Sequence, residues 1–134
     1  MILEALILAN GATIENGLLN AHGIGWRFFE PATAYPATLA GSVCGTMIVE
    51  DSDYGETHEL ALKISDDAGR VAMATGSLTF DCTVPSEQMT VGRLVFAWPF
   101  AVTVRDPTIV TATVVMNGQE LGRQEVIARA PADE

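Results

Sequence analysis

Apolar and polar residues alternate most cleanly between His58 and Phe80, HELALKISDDAGRVAMATGSLTF. Leu60, Leu62 and Ile64 fall on one side of a period of two, and Glu59, Ala61, Lys63 and Ser65 on the other. That is the pattern of a strand with one buried face. Asp66-Asp67-Ala68-Gly69 supplies a short turn with glycine where positive φ is needed, and Arg70 onward returns as the second strand. The remaining segments read as strands that pack around this hairpin.

Residues 2–9, ILEALILA, form a near-continuous apolar run of strand length, closed by Asn10-Gly11. Asn16-Gly17 is a two-residue hairpin signal, since both residues tolerate positive φ. Leu18 to Phe29 is predicted as the outgoing strand, with Gly23 and Gly25 marking a bulge, a bend or a close backbone approach inside it. Pro31 and Pro36 make Glu30 to Leu39 a loop. Gly41 to Glu50 reads as a strand with Val43, Met47 and Val49 on one face, followed by the charged loop EDSDYGET.

Asp81 to Thr90 is a polar connection containing Pro85, and Leu94 to Val104 is an apolar strand whose Pro99 argues for an edge or a bulge. Ile109 to Met116 and Gln119 to Ala128 flank Asn117-Gly118, a second hairpin signal of the same kind. Pro131 to Glu134 reads as a frayed tail. The count is about eight strands with short turns and no helix, which predicts one antiparallel β-sandwich domain over residues 1–134. A closed β-barrel is the alternative.

Composition adds three constraints. Apolar residues are 49% and charged residues 18%, against roughly 25% charged in ordinary soluble domains. A chain of this kind buries an unusual share of its surface or covers part of it by self-association. The net charge is −10, and the seven basic residues are scattered singly from Arg27 to Arg129. Nucleic acid and anionic membrane surfaces are therefore poor partners. The opening Met1-Ile2-Leu3-Glu4 has no positive n-region and no transmembrane length follows it, so the expected location is the cytoplasm, with Cys44 and Cys82 as reduced, buried thiols. An oxidising compartment would be needed for a disulfide between them.

Certain blocks give the chain a resemblance. LILANGATIENGLLNAHGIGW, residues 6–26, is an apolar strand, a turn and a strand ending in glycines and Trp. A Pro-rich loop follows, then HELALKISDDAGR, residues 58–70, and a C-terminal hairpin on Asn117-Gly118. In this the chain resembles an uncharacterised family of small bacterial all-β proteins, a domain of unknown function. The resemblance implies an all-β fold and carries no activity. Relatives often have a Trp in the loop before His58, where this chain has Ser52-Asp53-Tyr54.

The acidic loop from Glu50 to Glu56 is the metal candidate, with Asp51, Asp53 and Glu56 as ligands for Ca²⁺. It is no EF-hand, since Glu56 stands where Gly is required and Leu62 where the bidentate Glu should be. The plainer reading is a solvated turn that keeps an apolar protein soluble. His22 and His58 are the only histidines, and no Gly-x-Ser-x-Gly elbow or His-x-His spacing accompanies them. His58 begins a strand, where it can bond the loop before it; His22 lies among glycines near Trp26. His22, Trp26 and His58 are accordingly the candidate pocket residues.

Trp26, Phe28, Phe29, Tyr35, Trp98 and Phe100 offer a stacking platform or, more plainly, core and interface packing. No basic residue adjoins either cysteine in the sequence, so no nucleophilic thiol is expected. The expectation is a non-enzymatic protein-interaction or structural domain, a homo-oligomer or accessory subunit, with no cofactor and no catalytic residue. The alternative is a ligand-binding module holding Ca²⁺ or a small carbohydrate at a loop end.

Overall fold

The computed structural model describes residues 1–67, 71–81, 89, 90 and 92–130. Eleven strands run through them: β1 (Ile2–Ala9), β2 (Gly11–Glu15), β3 (Leu18–His22), β4 (Phe28–Phe29), β5 (Ala37–Ile48), β6 (Thr57–Asp66), β7 (Val71–Asp81), β8 (Met89–Thr90), β9 (Arg93–Val104), β10 (Thr108–Met116) and β11 (Gln119–Ala128). One turn of 3-10 helix covers Asp51–Asp53. The strands form a four-stranded sheet, β1-β5-β9-β8, a five-stranded sheet, β4-β11-β10-β6-β7, and the separate hairpin β2-β3. This is the expected sandwich; the sheets do not join into a barrel.

The core follows from the two-residue period. Leu60, Leu62 and Ile64 of β6, and Val110, Ala112, Val114 and Met116 of β10, turn inward from one sheet. Leu6, Leu8, Val43, Met47, Leu94, Phe96, Phe100 and Val102 meet them from the other. The sheets approach along β1 and β11 on one side and along β7 and β9 on the other. Glycines make room where large groups cross: Gly45 passes under the Phe96 ring and the Ala5 carbonyl, Gly41 under Trp26, and Gly122 under Leu3. The opposite face of the first sheet is also covered, because Ser42, Cys44 and Val95 are buried there and β2-β3 packs against β5 and β9.

Both Asn-Gly signals are hairpin turns, with φ of +52° and +72° at Asn16-Gly17 and +51° and +83° at Asn117-Gly118. Pro99 lies on β9 beyond the short β8 and, among the described residues, is paired on one side only, which fits the edge among the two expectations, edge or bulge. The ladder has a phase that makes this tolerable. Val49 N–H donates to Gly92 O at 2.9 Å, one pair beyond Ile48 opposite Arg93. Odd-numbered β5 residues and even-numbered β9 residues therefore bond each other. The N–H that proline lacks would have pointed to the open side.

Four expectations change. The strand predicted over Leu18 to Phe29 is two strands in two sheets: Gly23 at φ +66° and Gly25 at φ +92° turn the chain out of β3 and carry it to β4. The loop predicted to Leu39 ends at Pro36, because proline excludes a ladder only up to its own position and β5 begins at Ala37. The predicted connection from Asp81 to Thr90 contains the short strand β8. One pair, β4 with β11, runs parallel. The turn at Ala68-Gly69, Cys82, Pro85 and the tail from Pro131 lie outside the described residues.

Candidate functional site

β1 runs between the two groups of candidate residues. At its start the Met1 ammonium bonds Asp53, and at its end Asn10 bonds Trp26. Eight residues of strand separate these ends by about 25 Å. The candidate residues divide between them.

At the first end, His58 is buried at 3% exposure. Its Nε2 lies 2.9 Å from the Asp53 carbonyl and its Nδ1 3.1 Å from Asn117 Nδ2. The carbonyl can only accept and the amide nitrogen can only donate, so Nε2 carries the proton. Asn117 Oδ1 in turn accepts from Glu59 N–H at 2.8 Å. His58 thus ties the acidic loop to the β10–β11 turn. Asp53 is buried too; its Oδ1 lies 3.0 Å and its Oδ2 2.9 Å from the Met1 ammonium, and Oδ2 also accepts from Glu50 N–H at 2.8 Å. Burial pushes its pKa up, but the ammonium, the Glu50 N–H and His58 together outweigh burial and hold it below the usual carboxylate range. Asp51 and Glu56 are exposed, so of the three Ca²⁺ candidates only Asp53 points inward, and it is already occupied. Among the described residues no three His, Cys, Asp or Glu gather to hold a metal.

His22 and Trp26 are at the other end, so the three candidate pocket residues do not share a pocket. The exposed His22 ring lies over Gly11, whose added Cβ would come within 2.6 Å of it. Trp26 Nε1–H donates to Asn10 Oδ1 at 3.0 Å, and the ring meets Phe100 edge-on at 6.2 Å. Beside Trp26 opens a cleft of about 430 Å³, lined by Asn10, Trp26, Phe28, Phe29, Glu30, Thr38, Leu39 and Ala40. Its aromatic wall comes from the expected stock; Trp26 and Phe29 also pack on the core, as do Trp98 and Tyr35, which do not line the cleft.

The backbone at this cleft is unusual. β1 pairs with β5 only as far as Ser42, because the chain leaves the sheet at Asn10-Gly11 to form β2. Ala37 to Gly41 are paired with β9 alone among the described residues. By the ladder phase set at Val49, the even-numbered Thr38 and Ala40 turn their N–H and C=O away from β9, into the cleft. Among the described residues β4 is likewise the edge of its own sheet. Ile127 N–H and Arg129 N–H donate to the carbonyls of Arg27 and Phe29, each at 3.0 Å. Phe28, between them, therefore turns its N–H and C=O the other way. Two open strand edges thus border one cleft.

The surroundings of Phe28 are cationic. Its ring, 42% exposed, has the Arg129 guanidinium 3.9 Å and the Arg27 guanidinium 5.2 Å from its centroid. Arg129 is also paired with Glu30, and its carbonyl accepts from Tyr35 O–H at 2.6 Å. Burial, with the Glu30 charge in support, raises the Tyr35 pKa. Thr38, Ala40, Asn10 and the Phe28 backbone were not among the candidates from sequence. The Asn10-Gly11 turn was legible, but its consequence, an uncovered stretch of β5, depends on register.

Compared with known proteins, residues 4–128 match the model of a family described as a family of unknown function (DUF6941). No curated protein matches the chain.

Proposed function

The chain belongs to the family of unknown function DUF6941, so its role has to come from its own surface, and we propose a non-enzymatic interaction domain that takes an extended segment of a partner protein by strand addition. The observation that carries this is the open edge of β5: the backbone groups of Thr38 and Ala40 face a cleft walled by Trp26, Phe28 and Phe29. Free strand edges are templates for another chain, and aromatic pockets beside them supply side-chain selectivity. The two histidines support a non-enzymatic role, since His58 is built into the frame and His22 stands exposed and far from it. The net charge of −10 favours protein over nucleic acid or anionic membrane as partner. A cytoplasmic setting, with Cys44 as a buried free thiol, completes the reading.

The test is selection of random linear peptides displayed on phage, against the wild-type domain and Ala40→Pro. Proline at this position deletes an N–H that bonds nothing within the sheet and blocks the edge. Peptides selected on the wild type should bind the variant at least about tenfold more weakly. Equal binding by both would refute strand addition. A second reading, self-association, is favoured by the exposed cross-strand pair Ile2 and Ile48 on the sheet's outer face; light scattering at rising concentration distinguishes it.

A further inference from the structure

The cleft has two open edges, and this says more about the occupant than strand addition at β5 alone. The registers fix the strand directions. β1, β6, β9 and β11 run from the His58 end to the Trp26 end, and β5 and β10 run back. β4, parallel to β11, therefore runs opposite to β5. Resting on the reading above, we infer that the occupant is a single isolated strand, such as a terminal tail or an unstructured linker of the partner, that lies antiparallel to β5 and parallel to β4 and bonds both. It joins the two sheets on this side of the sandwich. A folded edge strand of a second copy is a poorer fit, because a strand with a neighbour of its own has only one side to offer.

The side chains of that strand are constrained as well. Successive residues point to opposite faces. Those turned inward meet Trp26, Phe29 and the buried Leu39, and so are apolar. Those turned outward pass Phe28, where, among the described residues, the two guanidiniums of Arg27 and Arg129 stand beside one carboxylate, that of Glu30. A carboxylate at that outward position gains a charge-assisted contact. The partner segment is thus short and extended, alternating apolar with polar residues, with an Asp or Glu beside Phe28. This local preference runs against the net charge of −10, so raised salt weakens long-range repulsion without abolishing the contact.

The experiment uses the tightest peptide selected on the full wild-type chain. Its affinity is measured for wild type, Ala40→Pro, Phe28→Ala, Phe28→Pro and Arg27→Gln. Phe28→Ala removes the ring and keeps the N–H, whereas Phe28→Pro also removes the N–H that faces the cleft. Bridging predicts that Phe28→Pro binds about threefold to tenfold more weakly than Phe28→Ala, and that Arg27→Gln weakens peptides carrying a carboxylate but not their amide counterparts. Hydrogen exchange on the wild type covers the case of a variant that fails to fold: the peptide should slow the amides of Thr38, Ala40 and Phe28 together. Protection of Thr38 and Ala40 without Phe28, with Phe28→Pro equal to Phe28→Ala, overturns bridging and leaves strand addition standing. Loss of neither protection nor affinity in Ala40→Pro overturns both.

Discussion

Asn16 and Asn117 offer a controlled comparison, because the same dipeptide makes the same turn at two places that differ only in what surrounds them. Both asparagines are left-handed, at φ +52° and +51°, and both precede a glycine of positive φ. Asparagine tolerates this region because its short polar side chain bonds locally, and an ordinary residue such as Ala pays about 1–2 kcal/mol there. At Asn16, exposed on the tip of the peripheral β2–β3 hairpin, that is the whole cost. At Asn117 the side chain also donates to His58 Nδ1 and accepts from Glu59 N–H. The Glu59 bond contributes about 1 kcal/mol, and taking the donor from a buried ring nitrogen costs a further 1–3 kcal/mol or so. Asn117→Ala should thus lose about 3–6 kcal/mol and Asn16→Ala about 1–2 kcal/mol. In a domain of this size the difference is on the order of 10 °C in melting temperature. Urea denaturation of both variants is the assay, with Asn117→Gly, which loses the same side-chain bonds without the φ strain, to separate the two costs. Equal losses at the two sites would show that His58 and Asn117 do not form the frame described.

Three further outcomes follow from packing and charge. Gly45→Ala sets a methyl against the Ala5 carbonyl and within 2.9 Å of the Phe96 ring, between two paired strands that cannot part, and should cost about 3 kcal/mol; Gly25→Ala, with open space around it, should cost only the strain of its φ, and a urea series on both tests this. Cys44 is fully buried, its S–H lies 3.6 Å from the Ile7 carbonyl, and burial raises its pKa, so in a Cys82→Ser background alkylation near pH 8 should proceed only as fast as the domain opens, and rapid labelling of the folded protein would contradict it. Asp53 has a lowered pKa, so it binds its proton more weakly folded than unfolded and contributes stability above the unfolded carboxylate range near 4 that is lost as pH falls through the lower folded value; the stability gap between wild type and Asp53→Asn should shrink on acidification, and a gap constant from pH 7 to pH 3 would refute the ion pair with Met1.

The parts of the fold legible in the sequence were those set by neighbours along the chain. The alternation in Leu60, Leu62 and Ile64 and in Val110, Ala112, Val114 and Met116 is what buries one face of β6 and β10, and Asn-Gly turns follow from backbone sterics alone. Gly23 and Gly25 show the limit. Glycine in an apolar stretch is compatible with a bulge or an exit, and only the other sheet, which offers β11 as a partner for Phe28 and Phe29, decides for the exit. The candidate site was less legible. His58 and Asp53 were singled out as chemistry-bearing residues, yet their partners, Asn117 and Met1, are 59 and 52 positions away. The open edge is invisible in the pattern because it consists of backbone groups, and which of them face outward follows from ladder phase rather than residue type.

Amide hydrogen exchange of the unliganded domain, resolved by residue, tests the central claim most directly. The account predicts an alternation along β5: Leu39 and Gly41, bonded to β9, exchange slowly, while Thr38 and Ala40 exchange fast, as does Phe28 beside the slower Phe29. Protection of Thr38 and Ala40 as strong as that of Leu39 and Gly41 would mean that the edge is closed, and the account would be contradicted.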